Sequence, residues 1–147
     1  MYENFLITYE ITKNYSPSEN EEYMCLKHRQ YFKERLLIWR KELMGKSELF
    51  FEELKENGIR SADIIDLSAQ QAEVFADFST RERQWKLLQE IDFALTRIEA
   101  GEYGYCDITG EEIGLKRLEA RPVATRCIEA QEQFERLANT RTGAVSF

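Results

Sequence analysis

Two long amphipathic stretches, separated by a short helix-breaking segment, constrain this chain more than any other feature. In the first stretch, apolar residues recur at steps of three, four or seven: Phe32, Leu36, Trp39, Leu43, Phe50 and Leu54. The second stretch contains two such lines, which lie side by side on the helix surface. The first line is Val74, Phe78, Trp85, Leu88 and Leu95, and the second is Leu87, Ile91, Ala94 and Ile98. This spacing lines one side of a helix. Each stretch therefore predicts a helix that must bury its stripe against a neighbour.

The segment between the stripes predicts where the chain turns back. Asn57-Gly58 is a helix stop, because both residues accept the left-handed conformation that closes a helix. We expect the second helix to start at Ser68, since Ser68 and Gln71 have the spacing of a capping box. Asp66 is the competing cap. The two helices are then expected to form a long antiparallel coiled-coil hairpin.

The predicted fold is mostly α, with this hairpin projecting from a small globular body. Only 7 Gly and 2 Pro occur in 147 residues, which disfavours a turn-rich β fold. We expect residues 1–24 to be an N-terminal tail packed on the body, and residues 25–101 to form the hairpin with its tip at 58–68. Residues 102–147 are expected to hold a degenerate zinc-knuckle segment and a C-terminal helix, the latter from the pattern Ile128, Phe134 and Leu137.

The segment after the hairpin has the layout of a four-cysteine zinc knuckle with half of its sulfurs. Its pairs read Cys106-x-x-Thr109 and Cys127-x-x-Ala130. A structural zinc site needs four N or S donors, so we expect no zinc and no other cofactor here. Cys106 and Cys127 are interpreted as packed thiols, with a redox-responsive pair as the alternative. The expected packing residues are Tyr103, Tyr105, Ile108, Ile113, Leu115, Leu118 and Ile128.

Two acidic residues mark the predicted tip. Asp63 and Asp66 are three residues apart, a spacing that places both carboxylates on one side of a turn or helix. Alone, such a pair is typical of helix capping and a solvated turn. Ile64, Ile65 and Leu67 beside them favour a surface that contacts a partner, because apolar residues at an exposed tip indicate binding.

Charge and motifs exclude several function classes. A net charge of −7 argues against binding to a DNA backbone, which requires a basic surface. The sequence shows no secretory signal pattern and no long apolar run, so we expect a cytoplasmic protein with no membrane contact. No nucleophile elbow, phosphate-binding loop or dinucleotide fingerprint is present. We therefore expect that the protein is not an enzyme.

From about Glu21 to Leu137, the chain resembles the DksA/TraR family of bacterial RNA polymerase-binding transcription factors. The motifs that carry the resemblance are Glu21-Glu-Tyr-Met24, the Trp39-containing arm, Asp63-x-x-Asp66-x-Ser68, Tyr103-Gly-Tyr-Cys106, Glu112-Ile-Gly114 and Arg117-Leu-Glu-Ala-Arg-Pro122. The resemblance implies that the hairpin enters the secondary channel of RNA polymerase. It also implies that the tip modulates initiation at rRNA and stringent-response promoters, without direct sequence-specific DNA binding. We expect the protein to be a monomer.

The resemblance assigns roles to individual residues. Asp63 and Asp66 match the two tip aspartates, and Ser68 stands where the family commonly has alanine. Arg83 matches an arginine that grips the channel rim, with a solvated helix face as the alternative. Arg121 matches a contact to the alarmone ppGpp.

Other positions depart from the family pattern. Thr109 and Ala130 replace two zinc ligands, which resembles the zinc-independent members. Glu90 and Gln131 replace lysines of the ppGpp site, so we expect ppGpp synergy to be weakened or absent, since Glu90 would repel a phosphate. Two alternatives remain open: a redox-responsive thiol sensor, and a secondary-channel protein that acts mainly on elongation and backtracking.

Overall fold

Four helices make up the regular secondary structure in the described part of the chain. The computed structural model describes residues 14–56 and 64–143. The helices are α1 (Leu26–Glu56), α2 (Ile64–Ala100), α3 (Leu115–Ala120) and α4 (Ile128–Gly143). Within these two ranges, β pairing is limited to one isolated antiparallel bridge between Tyr105 and Glu112. The predicted mostly α class is confirmed. No helix in the described part of the chain is long and apolar enough to cross a membrane.

The chain divides into two compact units. One comprises Met1–Leu36 and Ala94–Phe147, and the other comprises Leu37–Phe93. Ion pairs join α1 and α2 within each unit: Lys33 Nζ lies 3.8 Å from Glu99 Oε1, and Arg40 Nε lies 2.7 Å from Asp92 Oδ1. The contacts advance seven residues along α1 while they step back seven along α2. The two long helices therefore run antiparallel, as a helical hairpin does.

The start of α2 differs from the sequence-based expectation. The helix begins at Ile64, four residues before the predicted start at Ser68. Asp66 and Ser68 lie in its first two turns, so the predicted capping box that begins at Ser68 is wrong. A carboxylate in the first turn is stabilised by the unpaired N–H groups there, which makes the earlier start compatible with Asp66. The predicted stop at Asn57-Gly58 and the aspartate at position 63 lie outside the described residues.

The apolar stripe of α1 faces the core as predicted, where its side chains are described. Phe32 and Leu36 are fully buried, Leu43 is buried, and Trp39 is half-buried. Of the two lines on α2, only the second is packed along its length: Ile91, Ala94 and Ile98 are buried, and Leu87 is half-buried.

The predicted packing of the first apolar line of α2 is only partly correct. Phe78 and Trp85 are 59% and 63% exposed, so packing at these two positions is wrong. With 3.6 residues per turn, both lie about 120–140° around the helix from Ile91. A single neighbouring helix contacts only part of the circumference of α2, so it cannot bury the side chains of both apolar lines.

The chain after α2 folds around Tyr103, which is 1% exposed. Its hydroxyl donates to the carbonyl of Pro122 at 2.7 Å. The buried Arg97 holds the preceding turn, because its Nη2 donates to the carbonyls of Glu102 at 3.1 Å and Tyr105 at 2.5 Å. These hydrogen bonds give the backbone carbonyl groups of the turn a partner within the protein.

The segment before α1 is attached to the same unit. The Tyr23 hydroxyl donates to the carbonyl of Gly104 at 2.7 Å and accepts from the N–H of Gly114 at 3.0 Å. Gly104 has φ 90°, and a Cβ there would lie 2.7 Å from Met24 Cγ. Only glycine satisfies both the left-handed backbone and the close approach.

A second contact involves the only histidine of the chain. His28 is fully buried, with its Nε2 3.2 Å from Glu21 Oε2. Glu21 also accepts a short hydrogen bond from Tyr15, which is the main cause of the lowered pKa of its carboxyl group. The Tyr15 ring meets Tyr31 of α1 edge-on, with centroids 6.1 Å apart. Residues 15–24 are thus fixed to α1 and to the chain after α2.

Most of the predicted packing residues of the knuckle are buried. Tyr103, Ile113, Leu115 and Leu118 are buried, and Tyr105 is half-buried. Ile108 is 60% exposed, so its predicted packing is wrong.

The C-terminal helix α4 exists as predicted, but the predicted packing of Ile128 is wrong. Ile128, Phe134 and Leu137 are 53%, 50% and 66% exposed, whereas Ala130 is buried. The small side chain of Ala130 lets α4 pack closely. The larger residues lie on the outer side, where the Arg126 guanidinium carbon stands 4.2 Å from the centre of the Phe134 ring.

Candidate functional site

The four knuckle positions are brought together by two tight turns. Cys106 is 4% exposed, and its carbonyl accepts from the N–H of Gly110 at 3.0 Å, which closes the first turn. The second turn leads into α4, where Cys127 and Ala130 are each 3% exposed. Thr109 Oγ1 lies 3.7 Å from Cys127 Sγ and so joins the two turns. The structure therefore gathers the two halves of the motif that the sequence predicts.

The pKa of the Cys106 thiol is shifted by the groups around it. Burial alone raises the pKa of its thiol. Hydrogen bonds from the Thr109 hydroxyl and from the backbone N–H groups of Thr109, Cys127 and Ile108 outweigh burial and lower the pKa to about 6. At neutral pH these hydrogen bonds favour the thiolate form of the sulfur. This network has no signature in the sequence beyond the Cys-x-x-Thr spacing.

One distance in the knuckle is similar to that of a zinc site, but two of the four donors are missing. In a tetrahedral site with four zinc–sulfur bonds, neighbouring sulfurs are about 3.8 Å apart, close to the 3.7 Å between Thr109 Oγ1 and Cys127 Sγ. However, Thr109 supplies a neutral hydroxyl and Ala130 supplies only a methyl group. Within residues 14–56 and 64–143, no cluster of three or more His, Cys, Asp or Glu side chains is suited to a metal ion. The residues present do not fit zinc.

The predicted polymerase-binding residues belong to α2. Asp66 and Ser68 lie in its first two turns, and Asp63 lies outside the described residues. Arg83 is exposed, about fifteen residues further along the helix. The roles of these four residues stay predictions.

The predicted ppGpp residues are distributed over both units. Arg121 is exposed at the C-cap of α3, where its backbone N–H donates to Arg117 O at 2.8 Å. Gln131 is half-buried on α4 and donates from Nε2 to Glu135 Oε1 at 2.9 Å. Glu90 is exposed on α2, in the other unit. Their relation to ppGpp also stays a prediction.

Comparisons with known proteins match both parts of the described structure. The family described as DnaK suppressor protein DksA, N-terminal domain, matches residues 28–98. The prokaryotic dksA/traR C4-type zinc finger matches residues 101–136. The RNA polymerase-binding transcription factor DksA of Caulobacter vibrioides is 45% identical over 123 residues, which are 84% of this chain and 87% of that protein. The chain belongs to the DksA/TraR family.

Further relatives agree with this family membership. The RNA polymerase-binding transcription factor DksA of Salmonella typhimurium is 33% identical over 121 residues, covering 82% of this chain and 80% of that protein. The solved structure of transcription factor DksA2 from Pseudomonas aeruginosa superposes with a TM-score of 0.73 at 38% identity, over 88% of this chain and 97% of that one. The hairpin and the knuckle are thus the two family domains, and the knuckle retains two of the four cysteines that its family description names.

Proposed function

We propose that this protein is a transcription regulator, not an enzyme, that binds bacterial RNA polymerase as a monomer. In this proposal its hairpin tip enters the secondary channel and modulates initiation at rRNA and stringent-response promoters. The observation that carries the proposal is the 45% identity, over 84% of the chain, to a protein named an RNA polymerase-binding transcription factor. The antiparallel pairing of α1 with α2 supports it, because a two-helix hairpin suits a narrow channel.

Charge gives the proposed interaction its physical basis. The chain carries a net charge of −7, and a channel lined with basic groups would attract it and speed the encounter. Asp63 and Asp66 place two of these charges at the tip, where they would act near the catalytic centre and destabilise open promoter complexes. Arg83 would contact the rim. The tip residues, rather than the hairpin as a whole, then determine the regulatory output.

We further propose that the protein acts without zinc. The support is the donor set of the knuckle: two thiols, one hydroxyl and one methyl group. The Cys106 thiolate, held by Thr109 and by backbone N–H groups, would order the two turns in place of a metal. Activity in transcription is therefore expected to be the same in the presence of a zinc chelator. Zinc near one equivalent in purified protein would contradict this proposal.

The ppGpp response is proposed to be weak. A guanosine phosphate needs cationic partners, and Glu90 and Gln131 remove two of the cations that the family uses. Arg121 alone would remain. The double substitution Glu90→Lys and Gln131→Lys is expected to increase the effect of ppGpp on inhibition of an rRNA promoter. Equal ppGpp enhancement by this chain and by a zinc-bearing relative would refute the idea.

The decisive test of the tip is transcription in vitro with the variant Asp63→Asn/Asp66→Asn. We expect this variant to lose its effect on the lifetime of an rRNA-promoter open complex, while it still competes with the unmodified protein for polymerase. Asp77→Asn is the matched control, because Asp77 is an exposed aspartate of the same helix, α2. An unchanged promoter effect of the double variant would reject the proposed mechanism.

Two alternative functions, control of elongation and thiol sensing, can be distinguished from control of initiation by further measurements. A protein that acts mainly on elongation would rescue backtracked complexes and leave open complexes unchanged. A thiol sensor would lose or gain promoter activity after peroxide treatment, and the observation in its favour is the thiolate character of Cys106 beside Cys127. Both thiols are almost fully buried, which limits access of an oxidant and favours the channel-binding proposal.

A further inference from the structure

Two cysteine side chains converge beside the first turn of the knuckle. Cys106 and Cys127, here called the thiol pair, are 4% and 3% exposed, and both thiols are free. The hydroxyl of Thr109 hydrogen-bonds to the Cys106 thiol, and its Oγ1 lies 3.7 Å from Cys127 Sγ. The backbone N–H of Cys127 also donates to the Cys106 sulfur. Both sulfurs therefore border the same hydroxyl group, although they are twenty-one residues apart in sequence.

The fold of the knuckle explains why these two sulfurs meet. The C4-type zinc finger family matches residues 101–136, and in such a site four cysteines surround a single ion. Cys106 and Cys127 come from opposite halves of that motif. Structural metal sites are closed, so the burial of both sulfurs also agrees with an ion site. A fold that directs four positions at one ion leaves the two remaining sulfurs able to contact one ion.

The side chains that could supply a third ligand are unsuitable. Ala130 has only a methyl group at the fourth position of the motif. Asp107 follows Cys106 in sequence, but its Oδ1 lies 3.8 Å from Arg126 Nε and forms an ion pair there. In residues 14–56 and 64–143, no three His, Cys, Asp or Glu side chains group around a metal position. The donor set of the knuckle is therefore two sulfurs.

A pair of sulfurs selects a particular class of metal ion. Zinc takes four nitrogen or sulfur donors in a structural site, and Ca²⁺ and Mg²⁺ take about six or more oxygen ligands. Soft thiolate ligands favour Cu(I). This ion has a filled d shell and forms stable complexes with two thiolates placed on opposite sides of it. Two sulfurs are thus an incomplete ligand set for zinc but a complete one for Cu(I).

We propose that the thiol pair, Cys106 and Cys127, is a two-coordinate binding site for Cu(I). Binding forms two sulfur–copper bonds, and each sulfur that still carries a proton releases it to water. Copper keeps its oxidation state, so the step needs no oxidant or reductant. The bound ion would link the two turns of the knuckle. This site is independent of the proposed role in transcription.

The N–H groups around the thiol pair suit the charge of such a complex. Cu(I) with two thiolates carries one negative charge, and a buried charge is costly unless it is hydrogen-bonded. The backbone N–H groups of Ile108, Thr109 and Cys127 already donate to the Cys106 sulfur. Hydrogen bonds from outside the coordination shell orient metal ligands and tune the site. The knuckle can therefore stabilise the complex without a cationic side chain.

The first test is an anaerobic titration of the metal-free full chain with Cu(I), with ascorbate present and bicinchoninate as the competing coloured chelator. We expect one Cu(I) per chain. Cys106→Ser and Cys127→Ser should each weaken binding at least about a hundredfold, since a single sulfur then binds without the second. Cys25→Ser is the matched control, because it removes the only other thiol of the chain and keeps the thiol pair. This control should bind copper like the unmodified protein.

The second test measures the coordination of copper directly and needs no substitution. X-ray absorption at the copper edge of the one-to-one complex should show two sulfur neighbours and no nitrogen or oxygen neighbour. Sedimentation of the same sample should show no copper-dependent dimer, because both ligands belong to one chain. The complex should also keep its copper in the presence of excess Zn²⁺, since two sulfurs do not complete a zinc site.

The third test uses the stability of the fold. A ligand that binds the folded state raises the melting temperature. One equivalent of Cu(I) should therefore raise the melting temperature of the Cys25→Ser variant and leave that of Cys106→Ser unchanged. Equal helical ellipticity of the variants before copper is added checks that each one is folded.

Several outcomes would overturn the proposal. The thiol pair is not a copper site if the unmodified chain binds Cu(I) no more tightly than Cys106→Ser does. Loss of binding in Cys25→Ser would show that Cys25 is a ligand instead. Three or more sulfur neighbours, a copper-bridged dimer, or replacement of the copper by Zn²⁺ would each contradict the two-coordinate site. None of these measurements uses transcription, so their results do not depend on the proposed function.

Discussion

Replacing Thr109 with valine tests the hydrogen-bonded thiolate that we propose in place of zinc. Valine keeps the shape of threonine but lacks the hydroxyl that donates to Cys106 and lies 3.7 Å from Cys127 Sγ. The substitution therefore removes one donor without leaving a large cavity. Its effect on stability should depend on pH, because the hydroxyl bonds more strongly to a thiolate than to a thiol.

The magnitude follows from the pKa of Cys106. An unfolded cysteine titrates near 8.5, whereas the folded pKa is lowered to about 6. The folded state therefore binds its proton more weakly, and the associated stability is fully present above about pH 8.5 and lost as the pH falls through about 6. At about 1.4 kcal/mol per pKa unit, this stability is at most about 3.5 kcal/mol. Thr109→Val should remove about 1.5 kcal/mol at pH 8.5 and about 0.5 kcal/mol at pH 5.5.

The assay is urea denaturation followed by ellipticity at pH 5.5, 7.0 and 8.5, with a reductant and a metal chelator present. Thr80→Val is the matched control, since the Thr80 hydroxyl donates to Ala76 O on an exposed helix surface, outside the knuckle. The control should change stability by less than about 0.5 kcal/mol at every pH. A Thr109→Val cost that does not vary with pH would refute the thiolate account. An unfolding free energy of the unmodified protein that does not rise between pH 6 and 8.5 would refute it as well.

Further predictions concern the same unit of the chain. The double substitution Thr109→Cys/Ala130→Cys completes the four-sulfur set. It should raise the zinc content measured by metal analysis from none to about one equivalent, and it should raise the melting temperature. An unchanged zinc content would show that the knuckle geometry differs from that of a zinc site. Gly104→Ala should destabilise by about 1–3 kcal/mol in chemical denaturation, because φ is 90° and the new Cβ would lie 2.7 Å from Met24 Cγ; a neutral effect would mean that Met24 moves aside freely. Leu118→Ala should cost about 2–5 kcal/mol, since Leu118 is fully buried; a cost below about 1 kcal/mol would contradict that burial.

The sequence was sufficient for the helices and for the general position of the core. The spacing of Phe32, Leu36 and Leu43 identified the buried side of α1, because a long helix with one apolar stripe has one direction in which to pack. On α2 the sequence has two apolar lines, so the spacing alone does not identify which of them is buried. Ala94 is buried together with Ile91 and Ile98, so the packed face of α2 is the one with a small residue that allows a close approach.

Other features depend on contacts between residues distant in sequence and have no local signal. The start of α2 at Ile64 was missed because Ser68 offers a good cap on its own. The lowered pKa of Cys106 requires an N–H group from Cys127, twenty-one residues away. The exposed position of Phe134 on α4 reflects the use of Ala130 as the packing residue. In each case the local pattern permits two structures, and tertiary packing selects one.

The measurement that tests the channel-binding account most directly is cross-linking from the tip of the hairpin. A photoreactive amino acid placed at Ser68 should cross-link to the polymerase subunit residues that surround the catalytic centre, within a complex that still forms with normal affinity. The same probe at Leu137, which is 66% exposed on α4, should not reach the catalytic centre. Cross-links from position 68 confined to the outer surface of the polymerase, or their absence in a complex that forms normally, would contradict insertion of the tip into the secondary channel.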